Sequence, residues 1–404
     1  MPIATDLLIV GGGAAGIFAA IRYASGHPEH KVLVLEKSPH LLSKVKVSGG
    51  GRCNVTHACF EPEELITHYP RGGRELLGAF HRFQPANTVS WFKDHGVNLK
   101  TEADGRMFPV SDRSQTIIDC FLKEVKKHNI TIEVKTTVTS ITQAAAGFEI
   151  RAGEKTILSP KVILAMGGSP KGEAYDMIRQ LGHTIVPTVP SLFTFNLPGS
   201  DLLSLQGLVT PVTLTLPGNG LTSSGPLLVT HWGVSGPAVL KLSAWAARWL
   251  NEQNYHFKFL VDWLPDTSEE MLTGHLMKSK DMPGAVTASK VFPPGLPKRL
   301  QAYLLDKSGI DANRRWAEIG KKQVRELVRI LKHDEYEASG KTTFKEEFVQ
   351  CGGVTLKEVD MTTMESKLVP GLYFAGEVLD IDGVTGGFNF QAAWTTGFLA
   401  GSIG

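Results

Sequence analysis

The chain lacks the features that mark secreted, membrane-spanning and zinc-dependent proteins. Its 404 residues include four cysteines with no disulfide-framework spacing, a usage typical of the reducing cytoplasm. Cys53 and Cys59 are separated by five residues without a companion pair, and the 13 histidines show no metal spacing, so we expect no metal site. The uncharged run Leu7 to Ile21 covers 15 residues with no basic residue ahead of it. Such a run is too short to span a bilayer and lacks the start of a signal peptide.

The net charge is also small, and several common catalytic and phosphate-binding motifs do not occur. The formal net charge is +2, with 42% hydrophobic and 20% charged residues. This is an ordinary soluble composition, and it gives no general reason to expect nucleic acid or an anionic membrane as a partner. HExxH and GxxxxGK[ST] do not occur, and residues 233–236 lack the GxSxG spacing of a nucleophile elbow.

What the sequence does contain is a strand–turn–helix–strand pattern near its start. The apolar run Leu7–Val10 stops at three glycines, a helix-forming stretch covers Ala14–Ala24, and a second apolar run, Val32–Leu35, closes on Glu36. An ordinary α/β unit with a glycine-rich turn would also look like this. The register of strand, helix and acid favours a nucleotide-binding unit instead.

Three glycines of that unit, Gly11, Gly13 and Gly16, form G-x-G-x-x-G. The first permits a tight turn, the second lets the backbone approach a pyrophosphate, and the third lets the helix pack on the strand. The helix then offers free N–H groups to the phosphates. Glu36 stands 20 residues after Gly16, placed to accept hydrogen bonds from ribose hydroxyls. A carboxylate there disfavours a 2′-phosphate, which predicts an adenosine-type nucleotide rather than NADP.

Two more glycine-rich segments could line the same ligand. In residues 48–54, three glycines follow Lys44 and Lys46, and Arg52 and Asn54 suit phosphate oxygens or a heterocycle edge. In residues 371–393, acidic side chains at 377, 380 and 382 suit a ribityl chain, and the helix after residue 387 could stabilise a reduced flavin by its dipole. A surface loop and plain Asp/Gly turn chemistry are the respective alternatives.

Periodicity predicts the rest of the chain. Residues 38–70 are loop-rich, and residues 74–83, 88–95 and 114–127 are helical. A short antiparallel meander is expected at 131–141, 147–151 and 155–158, and a buried strand at 162–165. Alternation from about residue 191 predicts an antiparallel sheet or small barrel, residues 265–332 are helical, and an α/β pattern returns near the end.

Two features have weaker functional interpretations. His231 and Ser235, in the polar break LVTHWGVSGP, could meet substrate, although a lone His and Ser are more often structural. A helical stripe at 324–331 carries basic neighbours, which we interpret as a solvated face rather than a nucleic-acid patch: Lys321, Lys322, Arg325, Arg329 and Lys332.

Several short motifs follow one another along nearly the whole chain. They are GGGAAG at 11–16, KVSGGGRCNVT at 46–56, GRMFPVSDRS at 105–114, AMGGSP at 165–170, THWGVSGPAVL at 230–240, then CGGV, MESK and GLYFAGEVLDIDGVTGGFNFQAAW. Together they resemble a family of bacterial FAD-dependent flavoproteins that includes aminoacetone oxidase-like enzymes and reductases of unsaturated 3-oxo bile acids. One departure is Thr56-His57, where the family pattern has Thr-Asn.

The resemblance implies an α/β fold with a Rossmann-type, glutathione-reductase-like FAD-binding domain built from both chain ends. It also implies an inserted antiparallel β-barrel that presents substrate, and a small helical subdomain. The expected bounds are 1–190 and 351–404 for the FAD-binding domain, 191–264 for the barrel, 265–335 for the helices, and 336–350 for a return to the barrel.

The resemblance further implies which residues hold FAD. The start of the first helix and the acid that follows it would hold the ADP half, and a backbone group in the meander would contact adenine. The second glycine loop would lie along the middle of the cofactor. The C-terminal segment would surround the ribityl chain and the ring. These residues are Gly11, Gly13, Ala14, Ala15, Gly16, Glu36 and Lys37; Lys44, Gly51, Arg52 and Asn54; Val138; and Gly376, Glu377, Asp380, Asn389 and Phe390.

The sequence thus predicts a cytoplasmic FAD-dependent oxidoreductase that moves hydride between flavin N5 and a small amine or unsaturated ketone. Because only one G-x-G-x-x-G is present, the second redox partner would be O2 or a transiently bound NAD(P)H. Two alternatives stay open. A tRNA-modifying flavoenzyme could use the basic helix, although we would expect a larger basic excess. A non-catalytic flavin-binding protein is the other. The catalytic acid or base and the oligomeric state are not predicted.

Overall fold

The computed structural model describes residues 2–169, 172–281, 286–342 and 349–404. The chain divides into two compact units. The terminal unit comprises Met1–Ser191 and Phe344–Gly404, and the middle unit comprises Leu192–Thr343. Strands and helices are numbered along the chain.

The elements of the terminal unit come from both ends of the chain. Its strands are β1 (Ile3–Ala4), β2 (Leu7–Val10), β3 (Val32–Leu35), β4 (Thr56–His57), β5 (Leu99–Thr101), β6 (Arg106–Pro109), β7 (Thr131–Glu133), β8 (Val138–Ala144), β9 (Gly147–Ala152), β10 (Lys155–Ser159), β11 (Val162–Leu164), β12 (Ile185–Ser191), β20 (Val349–Val354), β21 (Val359–Asp360), β22 (Glu365–Ser366) and β23 (Leu372–Phe374). Its helices are α1 (Ala14–Gly26), α2 (Ser43–Gly51), α3 (Pro62–Leu65), α4 (Gly73–Arg82), α5 (Pro85–Asp94), α6 (Ser114–Lys127), α7 (Asp176–Gln180) and α14 (Phe388–Ala400).

The middle unit alternates groups of strands and helices along the chain and ends on two strands that lie at opposite edges of its sheet. Its strands are β13 (Thr194–Asn196), β14 (Val209–Leu216), β15 (Leu221–Val229), β16 (Gly233–Ser235), β17 (His256–Asp262), β18 (Asp334–Ser339) and β19 (Lys341–Thr342). Its helices are α8 (Pro237–Trp245), α9 (Ala247–Glu252), α10 (Glu269–Lys278), α11 (Ala288–Val291), α12 (Lys298–Lys307) and α13 (Lys321–His333).

A seven-stranded sheet forms the centre of the terminal unit, in the order β21-β22-β23-β11-β2-β3-β7. The five strands from β23 to β7 are parallel, with β11 and β3 on either side of β2. All residues of β2, β3, β11 and β23 are buried, as expected for parallel strands covered on both faces. Their carboxyl ends meet at one edge, where ligands of open α/β sheets bind.

The segment predicted as the first strand of the meander, residues 131–141, is divided between two sheets. β7 lies parallel to β3, whereas β8 pairs with β9 in a separate sheet of order β1-β10-β9-β8. Between them Lys135 adopts a left-handed φ of 55°, and its amide donates to the Ser38 carbonyl at 3.1 Å. The prediction of one strand was wrong because period-2 alternation continues through the turn, with no glycine or proline to mark it.

Residues 38–70, predicted to be loop-rich, contain two helices and a 3-10 turn at Ile66–His68. Helix α2 is interrupted near its end, where Ser48 is extended and Gly49 and Gly50 have φ of 58° and 67°. Its polar and glycine-rich sequence carries little apolar periodicity, so the helix was missed.

In the middle unit, seven antiparallel strands form one sheet in the order β18-β17-β14-β15-β16-β13-β19. One hydrophobic core joins this sheet to the helices, with Phe195, Leu214 and Phe259 from strands and Leu327 and Leu331 from α13. Closure of the sheet into a barrel stays a prediction. The chain was predicted to return to the barrel at 336–350, and residues 343–348 of this segment lie outside the described residues. Residues 282–285 of the predicted helical stretch also lie outside them.

One member of the predicted solvated basic face is buried. Lys332 is 8% exposed, and its ammonium donates to the carbonyls of Leu264 at 2.8 Å and Thr267 at 2.6 Å and pairs with Asp262 at 2.7 Å. The sequence prediction was wrong at this position because Lys332 lies one residue after the apolar stripe, on the side of α13 that packs inward. The other four basic residues of the face are exposed.

Candidate cofactor site

Three adjacent parallel strands deliver their following residues to one edge of the sheet. After β2, the amide of Gly11 donates to the Leu35 carbonyl of β3 at 2.8 Å. After β11, the amide of Ala165 donates to Val10 at 2.8 Å, and after β23, Ala375 donates to Leu164 at 3.0 Å. The predicted glycine motif and the C-terminal motif therefore lie at the same edge of the sheet.

The three motif glycines have different surroundings. A Cβ at Gly11, whose φ is 116°, would lie 2.3 Å from the Ala165 oxygen, and one at Gly16 would lie 2.0 Å from the Gly11 oxygen. These two positions need glycine for packing. A Cβ at Gly13 would have no heavy atom within 4 Å. Gly13 therefore borders open space, where the motif expects a pyrophosphate.

The N-terminus of α1 is available to an anion. Gly13 is its N-cap in an extended conformation, with φ −83° and ψ −169°, and no side chain caps the helix. The first turn, which includes Ala14 and Ala15, carries no acidic residue. Its N–H groups and the positive end of the helix dipole are thus not neutralised by a carboxylate of the helix itself.

Glu36 lies at the end of β3, beside the same helix start. Its Oε2 accepts the Gly12 N–H at 2.7 Å, and its Oε1 accepts the Ser38 N–H at 2.7 Å. The carboxylate is thereby fixed next to the glycine turn. Lys37 is exposed, and Val138, predicted near adenine, is buried as the first residue of β8.

Two predicted cofactor residues from opposite chain ends form an ion pair. Lys44 Nζ lies 2.5 Å from Glu377 Oε2, and Glu377 Oε1 accepts the Gln350 N–H at 3.0 Å. Next to them, a Cβ at Gly376, whose φ is 76°, would lie 2.8 Å from the Ala15 Cβ. The turn after β23 therefore lies against the first turn of α1.

The two aspartates of the C-terminal segment differ in their surroundings. Asp380 is half-buried, and its Oδ1 accepts the Gly352 N–H at 2.9 Å. Asp382 is fully buried and pairs with Arg71, whose Nε lies 2.5 Å from Oδ1, while the Ser191 hydroxyl donates to Oδ2 at 2.7 Å. Burial raises the pKa of Asp382, and the Arg71 guanidinium opposes that rise. Asp382 thus links Arg71 to the end of β12, whereas Asp380 lies nearer to solvent.

The start of α14 is crowded. Gly387 is its N-cap with φ of 97°, and a Cβ there would lie 2.6 Å from the Thr56 backbone and 2.9 Å from Asn54 Oδ1. Asn389 holds the preceding turn, because its Oδ1 accepts the Gly383 N–H and its Nδ2 donates to the Gly383 oxygen, both at 2.8 Å. Phe390 stacks on the ring of a neighbouring tryptophan in α14 at 5.6 Å.

Arg52 is engaged by protein groups. Its Nη1 lies 2.6 Å from Glu102 Oε1 and 3.6 Å from Asp112 Oδ1, and its guanidinium stacks over the Phe108 ring at 4.0 Å. The preceding Gly51 has φ of 82°, which sets the chain direction into this contact. These contacts fix the loop, and the expected place of Arg52 along the cofactor stays a prediction.

The buried atoms that have no hydrogen-bond partner among the described residues include two acceptors of the terminal unit, Asn54 Oδ1 and Gln350 Oε1. Buried acceptors of this kind usually have a partner. FAD fits them, since its ribityl hydroxyls and ring N–H are donors. Gln350 was not predicted from the sequence, and its only signal was its position directly before the CGGV motif.

The family model of the HI0933-like protein Rossmann domain matches residues 5–403. The chain belongs to this family. The identification made from the sequence motifs is confirmed, and the chain is a Rossmann-fold flavoprotein of the oxidoreductase class.

The relatives of this HI0933-like chain carry two different names. It is 30% identical over 402 residues to the 3-dehydro-bile acid delta(4,6)-reductase of Clostridium scindens, covering 97% of each chain. It is 31% identical over 403 residues to the ribosomal RNA dihydrouridine synthase of Escherichia coli, covering 97% of this chain and 96% of that one. The 3-ketosteroid-delta4-(5alpha)-dehydrogenase of Rhodococcus jostii shares the fold, with a TM-score of 0.53 at 13% identity over 99% of this chain and 96% of that chain. Within the described ranges, no helix has the length and apolarity needed to cross a membrane.

His57, where this chain departs from the family pattern, lies beside the start of α14. Its Nδ1 is 3.0 Å from the Gly386 carbonyl oxygen, so this nitrogen carries the proton. Its ring stacks on Phe388 at 4.6 Å, and the ring of His68 stacks on Phe388 at 4.3 Å. Histidine therefore supplies a donor and an aromatic surface at this position.

One side-chain cluster was not foreseen. The ligand atoms of Cys59, Glu64 and His68 lie within 4.8 Å of one another. The sequence prediction of no metal site considered cysteine pairs and histidine spacing alone. The missed signal is the spacing C-x4-E-x3-H, which combines three ligand types.

The two substrate-side candidates lie in the middle unit. His231 is exposed in the turn between β15 and β16, with its ring edge-on to Trp232 at 4.1 Å, and Ser235 is the half-buried last residue of β16. Thr230 closes this turn, because its Oγ1 donates to the Gly233 oxygen at 3.1 Å. Their proposed contact with substrate stays a prediction.

Proposed function

We propose that this chain is an FAD-dependent reductase of a carbon–carbon double bond conjugated with a carbonyl group. The observation that carries the proposal is the pair of near-full-length relatives, one named for a 3-dehydro-bile acid delta(4,6)-reductase and one for a dihydrouridine synthase. A 3-oxo-4,6-diene and the uracil ring both contain such a double bond, and each name describes its saturation. The unsaturated-ketone half of the sequence prediction is thus preferred to the amine half.

The residues of the terminal unit would hold the cofactor from two sides. The uncapped first turn of α1, with Gly13, would bind the pyrophosphate, and Glu36 would accept hydrogen bonds from the ribose. Asn54 Oδ1 and Gln350 Oε1, which are buried without a partner among the described residues, would receive cofactor donors. The same proposal includes the other predicted cofactor contacts, which are Lys37, Lys44, Val138, Glu377 and Asp380.

FAD bound here would supply hydride chemistry, with NAD(P)H as the external reductant and a proton from solvent completing the saturated product. The chain's own contribution is electrostatic. No acidic residue occupies the first turn of α14, so its positive end would stabilise negative charge that develops near it. Asn389 and Gly387 hold that helix start in place.

We propose that the sheet of the inserted middle unit closes as a barrel that binds substrate. His231 and Ser235 are its candidate polar groups. A cytoplasmic location is part of the same proposal, because it matches the reducing compartment that the four buried, free cysteines suit.

The test is an anaerobic half-reaction. Holoprotein reduced by NADH or NADPH is mixed in turn with a 3-oxo-4-ene steroid acid and with a saturated 3-oxo control, while flavin absorbance and product mass are followed. We expect the conjugated ketone alone to reoxidise the flavin and to gain two hydrogens. If oxidised flavin is bleached by an amine such as aminoacetone and the conjugated ketone has no effect, the chain is an oxidase and the proposal fails.

A second candidate substrate is a uracil in RNA. It is favoured by the Escherichia coli relative, whose identity and coverage match those of the reductase. The exposed residues Lys321, Lys322 and Arg325 on α13 would be the first surface to test. Reoxidation of the reduced flavin by ribosomal RNA lacking dihydrouridine, with salt-dependent binding weakened by a triple glutamine variant of these residues, would support it. RNA that neither binds nor reoxidises the flavin would exclude it.

A further inference from the structure

A cluster of three chemically different side chains lies close to the start of α14, and none of the three is among the residues proposed to hold FAD. The Cys59 thiol, the Glu64 carboxylate and the His68 imidazole place their ligand atoms within 4.8 Å of one another. Across the described ranges, no other group of three such side chains meets this criterion. Cys59 is buried, His68 is half-buried and Glu64 is exposed, so the cluster opens to solvent on one side.

We propose that Cys59, Glu64 and His68 bind a Zn2+ ion, with water as the fourth ligand. Thiolate, imidazole and carboxylate are the three ligand types that zinc takes in proteins, and three protein ligands with an open position form a recurrent zinc geometry. The mixed soft and hard set is less suited to magnesium or calcium, which take oxygen ligands.

The local fold holds the three ligands on a short frame. Helix α3 starts with Pro62 after the N-cap Glu61 and continues into the 3-10 turn that ends at His68. Glu64 and His68 are four positions apart, which places both on the same side of a helical turn. Cys59 precedes the helix, beside β4, so the chain folds back on the cluster.

His68 is oriented by contacts with Phe388 and Val384. Its ring lies nearly parallel to that of Phe388, at 14° and 4.3 Å between centroids, and its carbonyl accepts the Val384 N–H at 2.9 Å. A ring fixed in this way loses less side-chain freedom on metal binding than a mobile one. The proposed ion would therefore lie near the start of α14.

The electrostatic surroundings favour a cation. Burial, together with the nearby carboxylates of Glu64 and Glu61, raises the pKa of the Cys59 thiol to about 11. The thiol is therefore neutral in the metal-free protein, beside two negative groups. Zinc would displace the thiol proton and offset that negative charge.

The three ligand atoms need to move only slightly closer to one another to bind an ion. Tetrahedral bonds of about 2.0–2.3 Å place ligand atoms about 3.5 Å apart. Rotation of the exposed Glu64 side chain can supply most of the approach, since its carboxylate is the ligand nearest solvent.

The test is zinc binding to purified holoprotein, using ZnCl2 as the probe. After dialysis against zinc and then buffer, we expect one Zn2+ per chain by elemental analysis. X-ray absorption at the zinc edge should show one sulfur at about 2.3 Å and nitrogen or oxygen ligands at about 2.0–2.1 Å. Absence of retained zinc, or a zinc shell without sulfur, would overturn the proposal.

Matched variants identify the ligands. Cys59→Ser and Glu64→Gln should each weaken zinc binding on the order of 100-fold or more, because loss of a direct ligand exceeds the 10–100-fold effect of losing an outer partner. Cys120→Ser and Glu63→Gln should bind as the wild type does, since Cys120 is outside the cluster and Glu63 faces His81 at 3.3 Å. Should Cys59→Ser fail to fold, His68→Gln and the absorption edge of the wild type still decide the matter. Equal binding by all four variants contradicts the site.

Discussion

The two helices at the candidate site, α1 and α14, have the same length of 13 residues but differ in the space around the glycine that precedes each of them. Both follow a glycine, lack a side-chain cap and have no acidic residue in the first turn. Gly13, before α1, borders open space, whereas Gly387, before α14, is pressed against Thr56 and Asn54. The same local signature therefore comes with open space beside one glycine and with close packing around the other.

The difference extends to how each helix start is assembled. The residues that shape the start of α1 all lie in one contiguous motif that ends at Glu36. The start of α14 depends on residues far away along the chain. Thr56 Oγ1, for example, donates to Gln391 Oε1 at 2.6 Å across 335 positions. We therefore expect substitutions at α14 to act through folding, and those at α1 to act through ligand binding.

The largest effect is expected for Gly387→Ala. The alanine would keep a left-handed φ and place its Cβ 2.6 Å from the Thr56 backbone, which should lower the free energy of unfolding by about 2–4 kcal/mol. Urea unfolding of the flavin-free protein measures this. Gly78→Ala in α4 is the matched control, because its Cβ would meet nothing within 4 Å. A Gly387→Ala variant as stable as the wild type would show that the packing account of α14 is wrong.

Glu36→Lys should yield largely colourless protein. The substitution replaces the carboxylate that accepts the Gly12 and Ser38 N–H groups with a cation beside the helix start, and it removes the ribose acceptor. The absorbance ratio of flavin to protein after purification is the measurement. Glu133→Lys, at the end of the neighbouring strand β7, should stay yellow. A fully yellow Glu36→Lys variant would refute the role of Glu36.

Gly13→Ala should separate binding from folding. Because its Cβ enters open space, the flavin-free variant should unfold within about 1 kcal/mol of the wild type. The methyl group would occupy the approach to the pyrophosphate, so FAD affinity should fall at least about tenfold, or 1.4 kcal/mol. Fluorescence titration with FAD gives the affinity. Gly26→Ala, also in open space at the other end of α1, should bind FAD normally, and equal affinity in all three proteins would exclude the proposed approach.

The smallest effect is expected for Lys44→Met. Lys44 is 48% exposed in its ion pair with Glu377, and exposed pairs contribute about 0–1 kcal/mol to stability. Urea unfolding should therefore change by less than about 1 kcal/mol, as for the similarly exposed Lys258→Met. A loss of more than about 2 kcal/mol would mean that this contact between the two chain ends supports the fold.

The parts of the site that were predictable from the sequence are the contiguous ones. Gly11 to Glu36 carries its strand, turn, helix and acid in one motif, and each residue lies where that motif expects it. The meander was misassigned at residues 131–141 because alternation alone does not say which sheet a strand joins. Helix α2 was missed because its polar, glycine-rich sequence lacks a clear apolar face.

Long-range contacts explain the remaining differences. Nothing near Gln350 in sequence shows that its Oε1 would be buried without a partner, and nothing near Asp382 shows that Arg71 would neutralise it. Likewise, the spacing C-x4-E-x3-H by itself does not show that the three side chains meet, because α3 and the following turn are needed to bring His68 back to the thiol. Such groups are defined by packing, which one-dimensional periodicity does not report.

The most direct test of a two-ended FAD site is to bind its halves separately. Dissociation constants for ADP and for riboflavin are measured on flavin-free Gly13→Ala and Asn54→Ala variants. We predict that Gly13→Ala weakens ADP and leaves riboflavin unchanged, whereas Asn54→Ala weakens riboflavin and leaves ADP unchanged. If both variants weaken both ligands equally, or neither variant weakens either ligand, the assignment of α1 to the ADP half and of the Asn54 side to the flavin half is contradicted.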